Sequence, residues 1–359
     1  MLVQLSEIRD SLACPRCRGP LRDEAAGLRC AQPSCGLADQ AFPTVGGQPA
    51  LIDFDHSILD RNELVANAGS SYTERRHGAL VRAVWRLAFG YNHVAEAKVG
   101  QILADIKAST LRGRLLVIGG GAVGSGVQAM YDDPQVQVIG TDIYHSPHTT
   151  LIADGHRLPL ADQSVDGVWI QAVLEHVLDP QQVVAEIHRV LRPDGLVFAD
   201  TPFMQQVHEG AYDFTRFTVS GHRWLFRHFA LIDAGTSGGA GLATLWSMRY
   251  LARAMTGSGR LGTLVQLAFC WLRFIDRWAD PRDTADAASA VYFYGRKSPE
   301  PISPKDIVAF YDEQKTRRWR RSQPLPIQAG SPNRDYSVKD NVTPVADLIR
   351  LGNSDTASR

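Results

Sequence analysis

The stretch "LVIGGGAVGSG", residues 116–126, decides the fold. An apolar run leads directly into a cluster of glycines, of which Gly119, Gly121 and Gly124 form the pattern G-x-G-x-x-G. A buried strand that ends in a glycine turn and continues as a helix brings backbone N–H groups close to a ligand above the strand end. The stretch therefore predicts the first strand and the ligand-binding turn of an α/β domain, while the pattern alone leaves the ligand open.

Outward from this turn, the chain alternates between short apolar runs and helical patterns. A helix is expected from 122 to 131, with further strands at "VQVIG", "TLIAD", "VDGVWIQ" and "LVFAD". A second helix is marked by a capping Asp179, by Pro180 in its first turn and by Gln182 at the capping-box position. Two later runs, "FALIDAG" and "VYFYGRK", complete the pattern, which predicts a doubly wound α/β domain.

Composition divides the chain into four blocks. Residues 1–53 are loop-rich and hold four of the five cysteines, and residues 54–110 are expected to form a helical connector. The α/β domain is assigned to residues 111–298, with a helical insertion at about 236–290. We expect residues 299–359 to form a polar, mobile tail, because they are rich in proline and polar side chains.

The cysteines of the first block have the spacing of a metal site. Cys14 and Cys17 form a C-x2-C pair, and Cys30 and Cys35 follow as C-x4-C. Four thiolates close a tetrahedral shell around zinc and leave no open position, so the ion would be structural. Together with "CPRCRGPL" and "FPTVGGQPALID", these cysteines resemble the small zinc ribbons of the Trm112-like group. The block is therefore interpreted as a small N-terminal zinc-ribbon domain.

Two ligand classes fit the glycine turn, a dinucleotide and S-adenosylmethionine, and both contain a ribose. The stretch "IADGHRLPLADQSVDGVWIQAVLEHVLDPQQVVAEIHRVLRPDG" favours the second. It resembles class I S-adenosylmethionine-dependent methyltransferases, in particular the methyltransferase type 11 group. The resemblance covers about residues 113–235 and implies a seven-stranded Rossmann-like sheet. A nicotinamide-dependent enzyme is the alternative for the glycine pattern taken by itself.

The resemblance assigns the cofactor contacts residue by residue. Gly119 and Gly121 would leave room for the methionine part and the ribose, and Asp142 would hold the ribose hydroxyls. Asp154 and Gly155 would face the adenine, and Gln171 would border the sulfonium, whereas Asp166 is interpreted as structural. The expected cofactor-binding set is Gly119, Gly121, Asp142, Ile143, Asp154, Gly155 and Gln171.

The chain departs from the family pattern at three positions. Val117 stands where an acid usually precedes the first glycine, Leu160 replaces a Phe, and Asp194 replaces the first glycine of Pro-Gly-Gly. Because the first-strand acid is missing, a catalytically silent methyltransferase-like binding protein is one alternative function.

Charge and hydropathy restrict the partners. The chain has 38 basic and 38 acidic residues, so a nucleic-acid substrate would need a local basic patch. The N-terminus lacks a signal-peptide pattern, and the longest apolar run, residues 261–275, falls short of the roughly 20 residues that span a bilayer. The expectation is a soluble, cytoplasmic protein.

Groups that bind the methyl acceptor are expected after the fourth and fifth strands, at the carboxyl edge of the sheet. "LEHV" supplies Glu175 and His176, and "TPFMQQVHEGAYDFTRFTVSGHRWLF" supplies His208, Asp213 and Arg216. The second segment resembles part of bacterial methyltransferases of polysaccharide and secondary-metabolite pathways. His208 and Asp213 are the predicted base and carboxylate. His176 is a third catalytic candidate, for which a structural hydrogen bond is the favoured role.

The resulting prediction is a methyltransferase that acts on a hydroxyl, or in second place an amine, of a small molecule, sugar or glycolipid precursor. A ribosomal-RNA base methyltransferase with a zinc finger is the alternative, supported by the ribbon and by the connector arginines Arg75, Arg76, Arg82 and Arg86. For the insertion, a lid or a homodimer face is favoured over a peripheral membrane contact, because charged residues interrupt its apolar run.

Overall fold

The computed structural model describes residues 1–25, 27–66, 90–110 and 113–316. They belong to one compact unit, Met1–Gln323, and a second unit, Pro324–Arg359, lies outside the described residues. The four connector arginines and most of the predicted tail also lie outside them.

A seven-stranded sheet forms the centre of the fold. Its strands are β5 (Gly113–Ile118), β6 (Val136–Asp142), β7 (Leu151–Ile152), β8 (Val165–Gln171), β9 (Leu191–Pro202), β10 (Phe229–Gly238) and β11 (Ala290–Lys297). Their order in the sheet is β10-β11-β9-β8-β5-β6-β7, and β11 runs antiparallel to both of its neighbours. The predicted doubly wound sheet is confirmed, and its strand order reverses direction beside β5, where a ligand crevice is expected.

Helices cover the sheet and form the insertion. They are α1 (Arg61–Ala66), α2 (His93–Ser109), α3 (Gln128–Asp132), α4 (Pro180–Val190), α5 (Val219–Leu225), α6 (Ala240–Thr256), α7 (Gly259–Ala268), α8 (Leu272–Ile275), α9 (Pro281–Thr284) and α10 (Pro304–Thr316). Helices α6 to α9 lie in the insertion between β10 and β11, as predicted. Helix α10 lies where the mobile tail was expected to begin, and its Phe310 is buried.

Helix α4 begins where its sequence signals place it. The Asp179 side chain accepts a hydrogen bond from the backbone N–H of Gln182, and Pro180 lies in the first turn. The reciprocal half of the capping box does not form, because the Gln182 amide donates to the carbonyl of His156 instead. Residues Val183, Val184, Ile187 and Val190 form the buried face, as predicted.

The helix after the glycine turn is shorter than predicted. Residues 119–127 follow an irregular path, and α3 begins only at Gln128 rather than at Ala122. Gly119 and Gly126 have positive φ, a backbone conformation that does not continue into a helix. The backbone N–H groups of the glycine turn, which the sequence predicts to face a ligand, therefore belong to a loop and not to a helix N-terminus.

The N-terminal block folds onto the central sheet. It contains two hairpins, β1 (Leu21–Glu24) with β2 (Gly27–Cys30) and β3 (Thr44–Val45) with β4 (Gln48–Pro49). Leu2 pairs with Val138 of β6, and Ala50 pairs with Ile152 of β7, both in parallel. Apolar side chains of this block share one buried cluster with residues of the sheet: Ile8, Leu12, Leu37 and Leu51 with Leu116, Ile118, Leu151 and Leu160. The block and the α/β domain therefore have a continuous core.

Among the described helices, none combines the length and the apolar character that a membrane crossing requires.

Candidate active site and metal centre

Asp142 ends β6 beside the glycine turn, where the sequence analysis placed the ribose contact. One carboxylate oxygen accepts from the backbone N–H of Gly121 (2.7 Å), and the other accepts from that of Ile143 (2.7 Å). Burial raises the pKa of Asp142 to about 6, although these amide bonds oppose the rise. The backbone of Tyr144 is a third hydrogen-bond donor to this carboxylate, so one of its about four acceptor sites remains for a ribose hydroxyl.

The two glycines that were expected to leave room for the cofactor border the chain's own side chains. A Cβ at Gly119, which has φ +75°, would meet Val173 at 2.2 Å. A Cβ at Gly121 would meet the Tyr144 ring at 2.5 Å and the Asp142 carboxylate at 2.6 Å. In this structure the glycines therefore permit close packing of the turn, and a cofactor would have to move Tyr144 or lie beside it.

Asp154 lies after β7 with both carboxylate oxygens hydrogen-bonded. One accepts from the Ser57 hydroxyl, and the other lies 2.6 Å from Nδ1 of His156 and accepts from that residue's backbone N–H. Burial alone would raise the pKa of Asp154, but His156 and Ser57 outweigh it and lower the pKa. The residue predicted to face adenine is thus held by a serine from the N-terminal half of the chain.

The remaining cofactor candidates lie around the same turn. Ile143 directly follows Asp142 and is 44% exposed, which leaves an apolar surface beside the carboxylate. Oε1 of Gln171, at the end of β8, would be 3.0 Å from a Cβ at Gly124. Gly155 packs near Val183 and Ile118. The structure gathers the predicted set at one edge of the sheet, but its role as a cofactor site stays a prediction.

Val117, which replaces the usual acid, is a packed core residue. It is 5% exposed and belongs to a buried cluster with Val127 and Trp169. Asp194, which replaces a family glycine, adopts φ +62°, a conformation that asparagine and aspartate tolerate better than most residues. Asp166 accepts from the Arg114 backbone and the Arg192 guanidinium, in line with its structural interpretation.

A cluster of three ionisable side chains follows β8. The Glu175 carboxylate is completely buried, and neither oxygen has a hydrogen-bond partner among the described residues. Nε2 of His176 lies 3.5 Å from Oε1 of Glu175, and Nε2 of His208 lies 4.0 Å from the same oxygen. Burial raises the pKa of Glu175 to about 8 and lowers that of His176. The arrangement brings together two imidazoles and one carboxyl group. These side chains can transfer protons or act as ligands of a metal ion.

Asp213 lies beside His208 but acts mainly on other groups. Its carboxylate accepts from the backbone N–H of His208 (2.8 Å) and forms a two-pronged ion pair with Arg216. Although burial opposes it, Arg216 lowers the pKa of Asp213 to about 2. Nδ1 of His208 lies closer to the carbonyl of Gln206 (3.2 Å) than to Asp213 (3.5 Å). Arg216 is thus paired with Asp213.

The four N-terminal cysteines converge. Their sulfur atoms all lie within 4.8 Å of one another, with 3.8 Å between Cys14 and Cys35 and 3.4 Å between Cys17 and Cys30. Zinc–sulfur bonds of about 2.3 Å in a tetrahedron place the sulfurs about 3.8 Å apart. Backbone N–H groups two residues further on point at the sulfurs of Cys17, Cys30 and Cys35, at 3.4–3.5 Å. The donor set and its spacing fit zinc.

A family model described as a methyltransferase domain matches residues 116–199, which span β5 to β9 and include the glycine turn, Asp142 and Glu175. The chain contains a class I S-adenosylmethionine-dependent methyltransferase domain. The sequence resemblance is confirmed at this level, and the alternative of a nicotinamide enzyme is set aside.

Relatives of the methyltransferase domain match over short stretches. A malonyl-[acyl-carrier protein] O-methyltransferase of Laribacter hongkongensis is 49% identical over 49 residues, which are 14% of this chain and 16% of that protein. An uncharacterized methyltransferase of Mycobacterium ulcerans is 38% identical over 109 residues, 27% of this chain and 43% of that one. This chain therefore spans less than half the length of these relatives.

Among solved structures, a putative sarcosine dimethylglycine methyltransferase from Galdieria sulphuraria has a TM-score of 0.39 and 14% identity. The match covers 60% of this chain and 97% of that one.

Two features of the methyltransferase site were not assigned from sequence. Glu175 was noted beside His176 but not selected, because its burial without a partner is visible only in three dimensions. Gln48 in β4 had no signal at all, although its amide makes four hydrogen bonds to the loop that follows Asp142. Gln48 and its partners are about one hundred positions apart in the chain, and such a contact produces no local pattern in a single sequence.

Proposed function

We propose that this protein transfers a methyl group from S-adenosylmethionine to a hydroxyl, or in second place to an amine, of a small molecule, sugar or glycolipid precursor. One observation carries the acceptor assignment: the ligand atoms of Glu175, His176 and His208 lie within 4.8 Å of one another, just after β8, the strand that pairs with β5. Val173, two residues before Glu175, contacts Gly119. The cluster therefore lies at the end of the site where the methyl donor would be presented.

Methyl transfer from a sulfonium is an in-line displacement. The acceptor oxygen forms a bond to the methyl carbon while the carbon–sulfur bond breaks, and the electron pair of that bond returns to sulfur in S-adenosylhomocysteine. The acceptor proton must leave, and His208 is the proposed base, with Asp213 holding its backbone. His176 and Glu175 complete the polar surroundings of that proton. Alignment of donor and acceptor supplies most of the remaining rate enhancement.

The cysteine cluster supports a structural zinc site formed by Cys14, Cys17, Cys30 and Cys35. Because these thiolates already complete a tetrahedron, the ion would have no open position for the acceptor. Its proposed role is to hold the ribbon that packs on β6 and β7.

The RNA alternative has less support than a small acceptor. The net charge is zero, so no overall positive field attracts RNA. The acceptor cluster is half-buried, with Glu175 fully buried. A filter-binding assay with ribosomal RNA at two salt concentrations checks this, since salt-dependent binding would favour the RNA reading.

The helical insertion supports a proposed contact with an anionic membrane surface. Its exposed apolar side chains are Leu251, Met255, Leu261, Leu264, Phe269, Trp271, Phe274, Ile275 and Trp278. Exposed arginines accompany them at 253, 260 and 277. An apolar face flanked by arginines suits anionic lipid headgroups. This exposure favours a membrane over the lid or homodimer face that the sequence alone favoured.

A screen of candidate acceptors tests the proposed activity, with formation of S-adenosylhomocysteine as the readout. We expect turnover with hydroxyl-bearing sugars or lipid-linked precursors and a drop of at least about 100-fold for His208→Asn. His228→Asn is the matched control, because His228 directly precedes β10, at the opposite end of the strands. If S-adenosylhomocysteine does not bind in calorimetry, the proposed activity is wrong, and the alternative of a catalytically silent methyltransferase-like protein is favoured.

A further inference from the structure

We propose that Glu175, His176 and His208 form a second metal centre, separate from the cysteine cluster, that binds a divalent transition-metal ion. The three potential ligand atoms, one per side chain, all lie within 4.8 Å of one another. The rings of His176 and His208 stand nearly perpendicular, with centroids 5.1 Å apart, so that both Nε2 atoms approach the same carboxylate. Two imidazoles and one carboxylate form a set that transition metals prefer.

The backbone fixes both histidines in the form that a metal requires. Nδ1 of His176 lies 2.8 Å from the carbonyl oxygen of Tyr212, and Nδ1 of His208 lies 3.2 Å from that of Gln206. A carbonyl oxygen can only accept, so each Nδ1 carries the proton and each Nε2 keeps a lone pair. A second hydrogen bond of this kind, from the non-ligating nitrogen, is typical of metal-bound histidines. The two lone pairs are therefore presented to the Glu175 carboxyl group.

Glu175 supplies the independent observation. Its carboxylate is fully buried, and both oxygens lack a hydrogen-bond partner among the described residues. Arg216, whose charge also acts on Glu175, makes its hydrogen bonds to Asp213 and to backbone carbonyls. A buried polar group without a partner is strongly unfavourable, so such groups in folded proteins call for a specific role. A bound cation satisfies the carboxylate and both imidazoles at once.

The distances fit an ion after a small side-chain rotation. Ligand atoms about 2.1 Å from an ion stand about 3–3.5 Å apart. The two measured nitrogen–oxygen distances are 3.5 and 4.0 Å. Three protein ligands leave the remaining positions to water or to an oxygen of a substrate. The imidazoles favour Mn²⁺, Fe²⁺, Co²⁺ or Zn²⁺ over Mg²⁺ and Ca²⁺, which prefer oxygen ligands.

This position also gives the ion a use. Coordination of the acceptor hydroxyl would lower its pKa and orient its oxygen towards the methyl donor. That use rests on the proposed function, whereas binding of the ion does not. If the ion is present, the lone pair of His208 is occupied, and loss of the acceptor proton is promoted by the metal rather than by a free imidazole.

Manganese binding tests the site separately from the cysteine cluster. Full-length protein is first loaded with one zinc ion, which the four thiolates take, and is then titrated with Mn²⁺ while free Mn²⁺ is followed by electron paramagnetic resonance. We expect one Mn²⁺ per chain and affinity at least about tenfold weaker in both Glu175→Gln and His208→Asn. His228→Asn should bind as the parent does. Equal Mn²⁺ affinity in all four proteins, or no binding in the parent, overturns the proposal.

Thermal unfolding distinguishes loss of a metal ligand from loss of stability in the Glu175→Gln variant. Because the Glu175 carboxylate has no hydrogen-bond partner among the described residues, Glu175→Gln should unfold at the same or a higher temperature than the parent without Mn²⁺, and Mn²⁺ should stabilise only the parent and the control. A large loss of stability without Mn²⁺ would instead assign Glu175 a structural role and overturn the proposal.

The two proposals fail in different ways. Mn²⁺ binding without methyl transfer to any acceptor leaves the metal centre standing and rejects the proposed function. Undiminished methyl transfer after chelation of all metal except the ribbon zinc keeps the proposed function and rejects the catalytic use of the ion, whereas a parent protein that binds no Mn²⁺ rejects the metal centre.

Discussion

Asp142 is hydrogen-bonded to the glycine turn, and its ionisation therefore connects the turn to the proposed ribose contact. Its two oxygens accept from Gly121 and Ile143, and burial holds its pKa near 6. Above that pH the carboxylate is charged and accepts strongly from hydroxyl groups, whereas below it the protonated form accepts less well.

This ionisation predicts a pH dependence of cofactor binding. The folded pKa is raised, so the charged form is lost as the pH falls through 6, and the affinity for S-adenosylhomocysteine should drop about fourfold between pH 8 and pH 5.5. Asp142→Asn should bind more weakly at pH 8 and show a flat profile. Calorimetry at four pH values measures both. A parent profile as flat as that of the variant would contradict the ribose role.

Individual site residues were predicted from the sequence where they belong to a short local motif. The cysteines, Asp142 and His208 all stand in recognisable local patterns. In the structure the four sulfurs lie together and Asp142 accepts from Gly121, and the roles assigned to these residues stay predictions. Glu175 was not selected because an unpaired carboxylate and a paired one look the same in a sequence. The effect of Val117 could not be derived either, since its packing against the Gly120 region depends on the path of the turn.

The hairpin β3–β4 holds the loop that leads away from Asp142. The Gln48 amide nitrogen donates to the carbonyls of Ser146 (2.7 Å) and Thr149 (2.6 Å), and its oxygen accepts from both residues. The Ser146 hydroxyl in turn donates to the carbonyl of Gly121. One side chain of the N-terminal block is thus connected to the glycine turn through a single loop residue.

Gln48 is therefore expected to act as a positioning residue for the cofactor. Gln48→Ala leaves the Ser146 and Thr149 backbone groups without their partner and should weaken S-adenosylhomocysteine binding roughly tenfold. In turnover assays KM for S-adenosylmethionine should rise while kcat stays nearly constant. Gln32→Ala is the control, because the Gln32 side chain bonds only to Ser34 in the same block. Equal effects of the two substitutions would indicate a general loss of stability.

An element was predicted well where its own residues mark its start and its buried face. An element was predicted poorly where a special backbone conformation decides its start. Helix α4 has a cap, a proline and an apolar face, and its start agrees with the sequence. The helix after the glycine turn was placed six residues too early, because the sequence pattern does not show that Gly126 adopts a positive φ, which interrupts a helix starting at Ala122.

The whole molecule depends on a core that the N-terminal block shares with the sheet. Buried cysteines and apolar residues of that block lie in the same cluster as Leu116 and Ile118 of β5. The sequence predicted a separate small domain and could not show where it docks. Pairing of Ala50 with Ile152 and of Leu2 with Val138 joins residues far apart in the chain.

Loss of zinc should therefore destabilise the entire unit. Cys14→Ser, or removal of zinc with a chelator, is expected to lower the temperature of a single unfolding transition by at least ~10 °C, because folding free energy of several kcal/mol is linked to the ion. Cys270→Ser, outside the cluster, should leave the transition unchanged. Differential scanning calorimetry measures it. Two separate transitions, with the larger one unaffected, would show that the block folds independently of the sheet.

The proposed membrane contact of the helical insertion is tested with lipid vesicles. We expect cosedimentation with phosphatidylglycerol vesicles but not with phosphatidylcholine vesicles, and loss of binding when Leu264 and Trp278 are both changed to serine. Ile58→Ser, an exposed apolar position outside the insertion, is the control. Concentration-dependent dimers that the double variant abolishes, without vesicle binding, would assign the surface to a second copy instead.

Pairing between the N-terminal block and the sheet also bears on synthesis and solubility. β6 and the two-residue β7 would otherwise present unpaired N–H and C=O groups, and such strands recruit other chains into aggregates. Residues 1–3 and 50–51 bond to these strands at Val138 and Ile152. Because these residues precede β6 and β7 in the chain, they are already synthesised when the two strands form, and we expect their pairing to limit self-association of the growing protein.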